Sequence, residues 1–498
     1  MLELKNVSIS LRLDGRRIVD GLDLTLGKGD KAVIIGEEGN GKSTLLKWIY
    51  DKAAVEKYCE CSGSIKTDAK LAYLPQLFDA SLSEVKLCDY FDVDYYSQMN
   101  LVDRLFPLEL LISERKLGEL SGGERVKAML LRILLDEPDV LLLDEPTNDL
   151  DIDTLIWLED FLLQTRIPVL FISHDETLIE NTANTILHME QVVCKTKCKM
   201  TVSRCGYREY LEMRANGIAR QSQIAQKQRE DYDKQMDKWR RIYSSVDHAQ
   251  RTISRSDPAG GRLLKKKMRS VLSQRRRFER QKEEFADYPE VEDAIITRFD
   301  PIEFPSGKTV LDLALDNLEM QGATLARDVR LTVRGGEHIG ITGCNGAGKS
   351  TLLDVIWRSL SPRKDIVAAY MPQDYSRALD YDKTPVEYLA VNYDKATVTC
   401  ARTLLGCMRF THSEMTNKIG ELSGGQRAKI LFLEMVLRGA NVLLLDEPTR
   451  NFSPLSAPVV RDCIADFGGA VISVSHDRKY LDECDKVYEL TREGLFEI

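Results

Sequence analysis

The sequence has no apolar run long enough to cross a bilayer, which takes about 18–20 residues in a helix. Its most apolar stretches, such as Val140-Leu141-Leu142-Leu143, have the length of buried parallel strands. Histidine is scarce, at six residues, and the eleven cysteines are scattered. Cys59 and Cys61 form a C-x-C pair, and Cys194, Cys198 and Cys205 lie near one another. Neither group has the two close pairs, or the Cys/His set, that a zinc site uses. Reduced thiols of a cytoplasmic protein are the expectation. The opening MLELKNVSIS alternates as a strand does. With no basic segment followed by an apolar one, no secretory leader is expected.

What is present is a globular composition, 43% hydrophobic and 30% charged over 498 residues. That length suits about three units, each able to bury a core. The net charge of −9 hides an asymmetry. Residues 204–288 hold 22 Lys and Arg against 12 Asp and Glu. A basic island therefore sits between two acidic regions.

The acidic regions repeat one order of motifs. GEEGNGKST at Gly36–Thr44 returns as GCNGAGKST at Gly343–Thr351, and YLPQ ending at Gln76 returns as YMPQ ending at Gln373. LSGGE, with Ser121, Gly122 and Gly123, returns as LSGGQ, with Ser423, Gly424 and Gly425. LLLDEPT places Asp144 and Glu145 against Asp446 and Glu447, and ISHD and VSHD place His174 against His476. Five motifs in one order, each pair roughly 300 residues apart, mark a duplicated domain with a long insert. The expected division is 1–203, 204–290 and 291–498.

The insert reads as two amphipathic helices. Tyr232, Met236, Trp239, Tyr243 and Val246 fall on a heptad seam. Leu264, Met268, Val271, Phe278 and Phe285 follow another, with Arg275 and Lys282 at intervening seam positions. RTISRSDPAGGR between them carries loop signals. The expectation is a helical hairpin whose first helix runs about 40 residues, or about 60 Å.

G-x-x-x-x-G-K-[ST] is a P-loop. Each copy follows an apolar strand and precedes an apolar helix. Gly36, Gly39, Asn40, Gly41 and Thr44, and Gly343, Asn345, Gly346, Gly348 and Thr351, are candidates to cradle a nucleotide. Lys42 and Lys349 would reach its β- and γ-phosphates, and Ser43 and Ser350 would ligate Mg²⁺. Asp144 and Asp446, emerging from buried strands, suit a Mg²⁺ partner. Glu145 and Glu447 suit the base that deprotonates an attacking water. Gln76 and Gln373 could sense metal and water, and His174 and His476 the γ-phosphate.

Together these motifs resemble the ATP-binding-cassette ATPases. The resemblance implies an α/β fold and a head-to-tail sandwich in which ATP and Mg²⁺ on one P-loop are capped by the LSGG segment of the other half. Lys42 would then face Ser423, and Lys349 would face Ser121. The Gly-Gly backbone at a helix N-terminus would offer donors to the γ-phosphate. The loop after the second acid departs from the pattern. Thr147-Asn148-Asp149-Leu150-Asp151 is matched by Thr449-Arg450-Asn451-Phe452-Ser453-Pro454, so Ser453 stands for an aspartate and unequal sites are expected. The first strands also lack the aromatic that the family stacks on adenine.

Two fused cassettes joined by a basic helical hairpin look like the ABC-F translation factors. That resemblance implies a monomer with intramolecular cassette pairing whose linker approaches large-subunit rRNA and the P-site tRNA of a bacterial-type ribosome. A cationic arm that includes Arg240, Arg241, Arg262, Lys265, Lys266, Lys267 and Arg269 suits RNA phosphates. A transporter motor would need a membrane partner, and DNA-repair ATPases carry zinc modules or split cassettes. The reading adopted is protection of ribosomes from antibiotics. Housekeeping rescue of stalled translation is the alternative, and a transporter subunit is a more remote one. No membrane or DNA partner is expected. With 45 residues from Gln76 to Ser121 and 22 after His476, neither the extra arm nor a long C-terminal extension is expected.

Overall fold

In the computed structural model, residues 1–13, 15–91, 102, 106, 110, 113–148, 150–192, 196–253, 258–283, 285–286, 288, 305, 307–390 and 394–498 are described. Asp149, Cys194, Arg255 and the boundary expected at 290 lie outside them. Two compact units emerge: Met1–Tyr207 with Glu292–Ile498, and Arg208–Val291.

The first unit contains two six-stranded sheets of one topology. One runs Leu71–Leu74, Val140–Asp144, Val169–Ile172, Lys31–Ile35, Thr185–Val192 and Lys197–Ser203. The other runs Ala368–Met371, Val442–Asp446, Ala470–Val474, His338–Thr342, Lys486–Leu490 and Leu495–Glu497. Five strands of each are parallel, and the last is antiparallel. The continuous apolar runs follow from burial on both faces: all five residues of Val140–Asp144 and of Val442–Asp446 are buried. Both acids thus reach the carboxyl ends of interior strands, next to the edge of each sheet, on the side where open α/β sheets bind ligands. Smaller antiparallel sheets accompany each half, three-stranded in the first and two-stranded in the second.

The second unit is helical. Tyr207–Thr252 is one helix of 46 residues, longer than expected, and Pro258–Glu283 is the next. The sequence seam is the packed seam. Trp239, Val246 and Val271 are buried, and Tyr232, Met236, Tyr243, Leu264, Met268, Phe278 and Phe285 are half-buried. Trp239 donates its indole N–H to the Val271 carbonyl at 2.8 Å. The Arg275 guanidinium sits over the Trp239 ring and the Lys282 ammonium over Tyr232, 5.6 and 5.9 Å from the centroids. Cations at seam positions are therefore accommodated by aromatic faces. The loop is shorter than the Ser-Pro-Gly signal implied, because Pro258 opens a helix at its first position, where its missing N–H costs nothing. Gly260 and Gly261 then continue that helix.

Candidate functional site

Strand Lys31–Ile35 ends at Gly36, where φ is 144° and a Cβ would lie 2.3 Å from the Met189 carbonyl oxygen, so only glycine fits. Gly41, in the left-handed region, begins helix Lys42–Tyr50. Gly343 and Gly348 repeat both features ahead of helix Lys349–Leu360. Each lysine turns back onto its own loop. Lys42 Nζ donates to the Gly36 carbonyl at 2.7 Å, and Lys349 Nζ to the Gly343 carbonyl at 2.6 Å. A ring of backbone around a buried ammonium is a cradle that phosphate oxygens can enter.

In the first half Ser43 donates to Asp144 at 2.8 Å, and the Tyr73 hydroxyl donates to its other oxygen at 2.8 Å. Tyr73 is part of the YLPQ motif, yet its role was not read from sequence. At the second site Ser350 and the Gln373 backbone lie close enough to Asp446 to favour its ionised form. Burial raises the pKa of both aspartates. Asp446 Oδ2 is buried without a hydrogen-bond partner, an orphan that suits a hard cation. Among the described residues no three His, Cys, Asp or Glu side chains converge as a metal cage. A cation held by one serine and one aspartate would draw its remaining ligands from phosphate and water, the habit of Mg²⁺.

Glu145 and Glu447 adopt φ of 49° and 54°, strained values for a long side chain. Their surroundings differ. Glu145 accepts from Gln76 and from Asn148, each at 2.8 Å, and lies 3.3 Å from His174 Nε2. Burial pushes its pKa up, but the nearby His174 ring and the Lys42 charge outweigh it and leave it at about 2. Glu447 is closer to bare: the His476 backbone N–H is 3.4 Å away and the ring nitrogen 3.7 Å. Burial, then the neighbouring Asp446 charge, lifts it to about 7. Burial and Lys349 lower His476 to about 4.

The LSGG segments open helices Gly122–Leu135 and Gly424–Leu437, and both serines form capping boxes. Ser121 accepts from the Glu124 N–H while the Glu124 carboxylate accepts from the Ser121 N–H. Gln426 does the same for Ser423. The variable fifth residue of LSGG[EQ] is thus the reciprocal cap, a role missed in the sequence.

The halves meet unequally. At the first P-loop the Gly425 N–H donates 2.7 Å to Glu38, and His174 Nδ1 lies 2.8 Å from the Phe452 carbonyl oxygen. Ser423 and Gly425 thus stand beside the first P-loop, with a gap of only about 30 Å³. At the second P-loop a cavity of about 360 Å³ opens, walled by Lys349, Ser350 and Glu447 with Asn148 and His174 of the first half. Gln373 lines it too, while Ser121, Gly122 and Gly123 do not. Met320 and Leu325 give it an apolar wall, a non-aromatic surface for a base. The Ser453 departure is visible here. Asp151 lies against the Asn345 backbone across the halves, which helps to hold its pKa down. Ser453 instead bonds Ser456 in its own loop at 3.0 Å.

Two P-loops, each with a strand-end acid pair and a histidine, in one sheet topology repeated, define a tandem-cassette ATPase. The sequence matches the ABC transporter family over residues 19–148 and 326–450, and the chain belongs to that family. It hydrolyses ATP, and cassettes of this kind bind ATP with Mg²⁺. The chain is 25% identical to ABC transporter F family member 5 of Arabidopsis thaliana, covering 97% of this chain and 73% of that one. It is 28% identical to the energy-dependent translational throttle protein EttA of Haemophilus influenzae (94% and 88%). It is also 28% identical to the ribosome protection protein VmlR of Bacillus subtilis (96% and 84%). The F-branch resemblance read from the motifs stands. The crystal structure of an archaeal ribosome recycling factor, aABCE1, with stalk protein aP1 shares the fold, with a TM-score of 0.60, 16% identity and coverage of 99% and 90%. Among the described residues no helix is long and apolar enough to cross a membrane.

Proposed function

We propose that this ATPase is a cytoplasmic, ribosome-binding factor of the F branch, and that its basic linker approaches large-subunit rRNA and the P-site tRNA. The observation that carries the reading is the linker's surface. Arg240, Arg241, Arg262, Lys265, Lys266, Lys267, Arg269, Arg276 and Arg277 are all exposed on two helices whose seam is occupied by packing. A cationic face left over after packing suits a phosphate backbone. The working division is cassettes 1–203 and 291–498 around a linker 204–290.

In this reading ATP closes the cassettes, with Lys42 and Lys349 on the phosphates and the Gly-Gly backbone of the opposite half on the γ-phosphate. Mg²⁺ would sit with Ser43, Asp144 and Gln76, or Ser350, Asp446 and Gln373, and would supply charge stabilisation to the transferring phosphoryl group. Glu145 and Glu447 accept a proton from the attacking water, and His174 and His476 hold the γ-phosphate side. Hydrolysis opens the cassettes and releases the factor.

The role favoured is displacement of antibiotics by the linker tip, residues 244–262, of which 254–257 lie outside the described residues. The likeness to a ribosome protection protein supports it. The equal likeness to a translational throttle protein supports the second reading, regulation or rescue of translation without a drug. The test is ribosome co-sedimentation of the Glu145→Gln/Glu447→Gln variant, with and without ATP. ATP-dependent pelleting is expected, and its absence with ATP bound rejects the reading. Release of a bound antibiotic from the pelleted complex supports protection; retention supports the throttle-like role.

A further inference from the structure

The interface between the two cassettes is polarised. The Arg461 guanidinium lies 2.5 Å from Glu176, and the Arg478 guanidinium hydrogen-bonds Glu159. Lys479 stands 3.0 Å from Glu176 and 2.7 Å from Glu180, and Arg478 3.7 Å from Asp175. Beside the first P-loop, Lys429 lies 3.5 Å from Glu37. Among the described residues every ion pair between the cassettes takes its carboxylate from the first and its cation from the second. The central groups are buried, with Glu159 at 7%, Glu176 at 8% and Arg461 at 5% exposure.

The repeat gives this polarity its meaning. Glu176 follows His174-Asp175 as Arg478 follows His476-Asp477. Glu159 lies on the helix after the first Asp-Glu pair, where Arg461 lies after the second. The pair Glu159–Arg478 is therefore the image of Arg461–Glu176 under the exchange of halves. A symmetric sandwich must be self-complementary, with residue i on j and j on i. Two first cassettes in this geometry would bury Glu159 against Glu176 twice. Two second cassettes would bury Arg461 against Arg478 twice. Buried like charges are strongly disfavoured, while a buried ion pair adds little net stability over apolar packing. Such pairs act chiefly on partner choice.

We propose that these residues form a charge code by which a first cassette accepts only a second cassette, so that the duplicated chain closes on itself and is barred from pairing like with like between chains. The inference rests on the cassette pairing of the proposed function and not on the ribosome.

The test uses full-length chains. Glu159→Lys/Glu176→Lys makes the two central positions of the first face basic like those it meets, and Arg461→Glu/Arg478→Glu makes those of the second face acidic, while Asp175, Glu180 and Lys479 keep their charges. Each variant alone is expected to lose at least tenfold in ATPase rate and to remain monomeric by light scattering with ATP. Mixed in equal amounts, the two should form a species of twice the mass and recover ATPase, since each first cassette now matches the other chain's second. The quadruple variant, with the two central pairs Glu159–Arg478 and Arg461–Glu176 exchanged, should be a monomer with ATPase within a few-fold of the parent. If the double variants do not fold alone, the quadruple still decides: a folded, active monomer supports the code, and an unfolded or inactive one overturns it. Parent-like ATPase in either double variant, or a mixture of folded variants that neither associates nor recovers, also overturns it. Ribosome co-sedimentation of the parent chain is untouched by these outcomes, so the two readings fail separately.

Discussion

A carboxylate oxygen of Glu38 stands 2.7 Å from the backbone nitrogen of Gly425, at the N-terminus of the second signature helix. That donor is one which the cassette sandwich would offer to a γ-phosphate. In the second P-loop the matching residue is Asn345, and the carboxylate comes from across the interface, from Asp151. In the first, the loop opposite has Ser453, and the P-loop itself carries the acid. The carboxylate has exchanged sides, and the first site is closed by protein charge rather than left open.

It follows that Glu38 competes with nucleotide at the first site. Glu38→Asn should tighten ATP binding there at least about tenfold, because a charge-assisted hydrogen bond of about 1.5–3 kcal/mol and a like charge near the triphosphate are both removed. Equilibrium dialysis with labelled ATP, in a chain whose second site is silenced by Lys349→Ala, measures this. Unchanged or weaker binding would show that Glu38 does not oppose the phosphates.

The two bases should differ in pH dependence. Glu447 has its pKa raised from an ordinary 4.5 to about 7. Its neutral form cannot take a proton from water, so hydrolysis at the second site should rise as pH passes upward through about 7. Glu145, held at about 2, is ionised throughout the working range. The kcat/KM of Glu145→Gln, which reports the free enzyme, should climb between about pH 6 and 8. That of Glu447→Gln should not. Identical profiles would refute the asymmetry.

Much of this was legible in the sequence, for a physical reason. P-loops, strand-end acids and capped helices are set by local chain geometry, and the heptad seam by helical period, so both can be read along the chain. The loop signal of RTISRSDPAGGR found the break between the helices but reached too far, because proline opens helices as readily as it ends them. Arg275 and Lys282 looked out of place on the seam until aromatic faces from the other helix came opposite them. Glu38–Gly425 and Arg461–Glu176 join residues far apart in sequence, and no local pattern announces such partners. Only laying one repeat on the other marks Glu38, Ser453, Glu159 and Glu176 as departures, and only the fold shows that they meet.

Trp239 is the large aromatic buried on the hairpin seam. It bonds the Val271 carbonyl and faces Arg275. Trp239→Ala should destabilise the hairpin by about 3–5 kcal/mol, the range for a large aromatic removed from a core. Hydrogen exchange should then quicken in 232–246 and 264–278, with the cassette strands unchanged. Loss of protection in the cassettes as well would mean that the helical unit is not an independent folding element.

The lysines at 265–267 offer the sharpest test of the linker's electrostatics. They are consecutive, exposed and on the second hairpin helix, and the structure gives them no packing role. If they meet RNA phosphates, each contact releases counterions and contributes about 0.7–0.9 to the slope of log affinity against log salt. Lys265→Gln/Lys266→Gln/Lys267→Gln should therefore flatten that slope for ribosome binding by about 2–3 and weaken binding at low salt. ATPase activity without ribosomes should stay at the parent level, since the cassettes are unaltered. A slope unchanged within error would mean that the basic face near these residues does not meet the RNA, and the contact would then have to be sought along Arg240, Arg241 and the first helix.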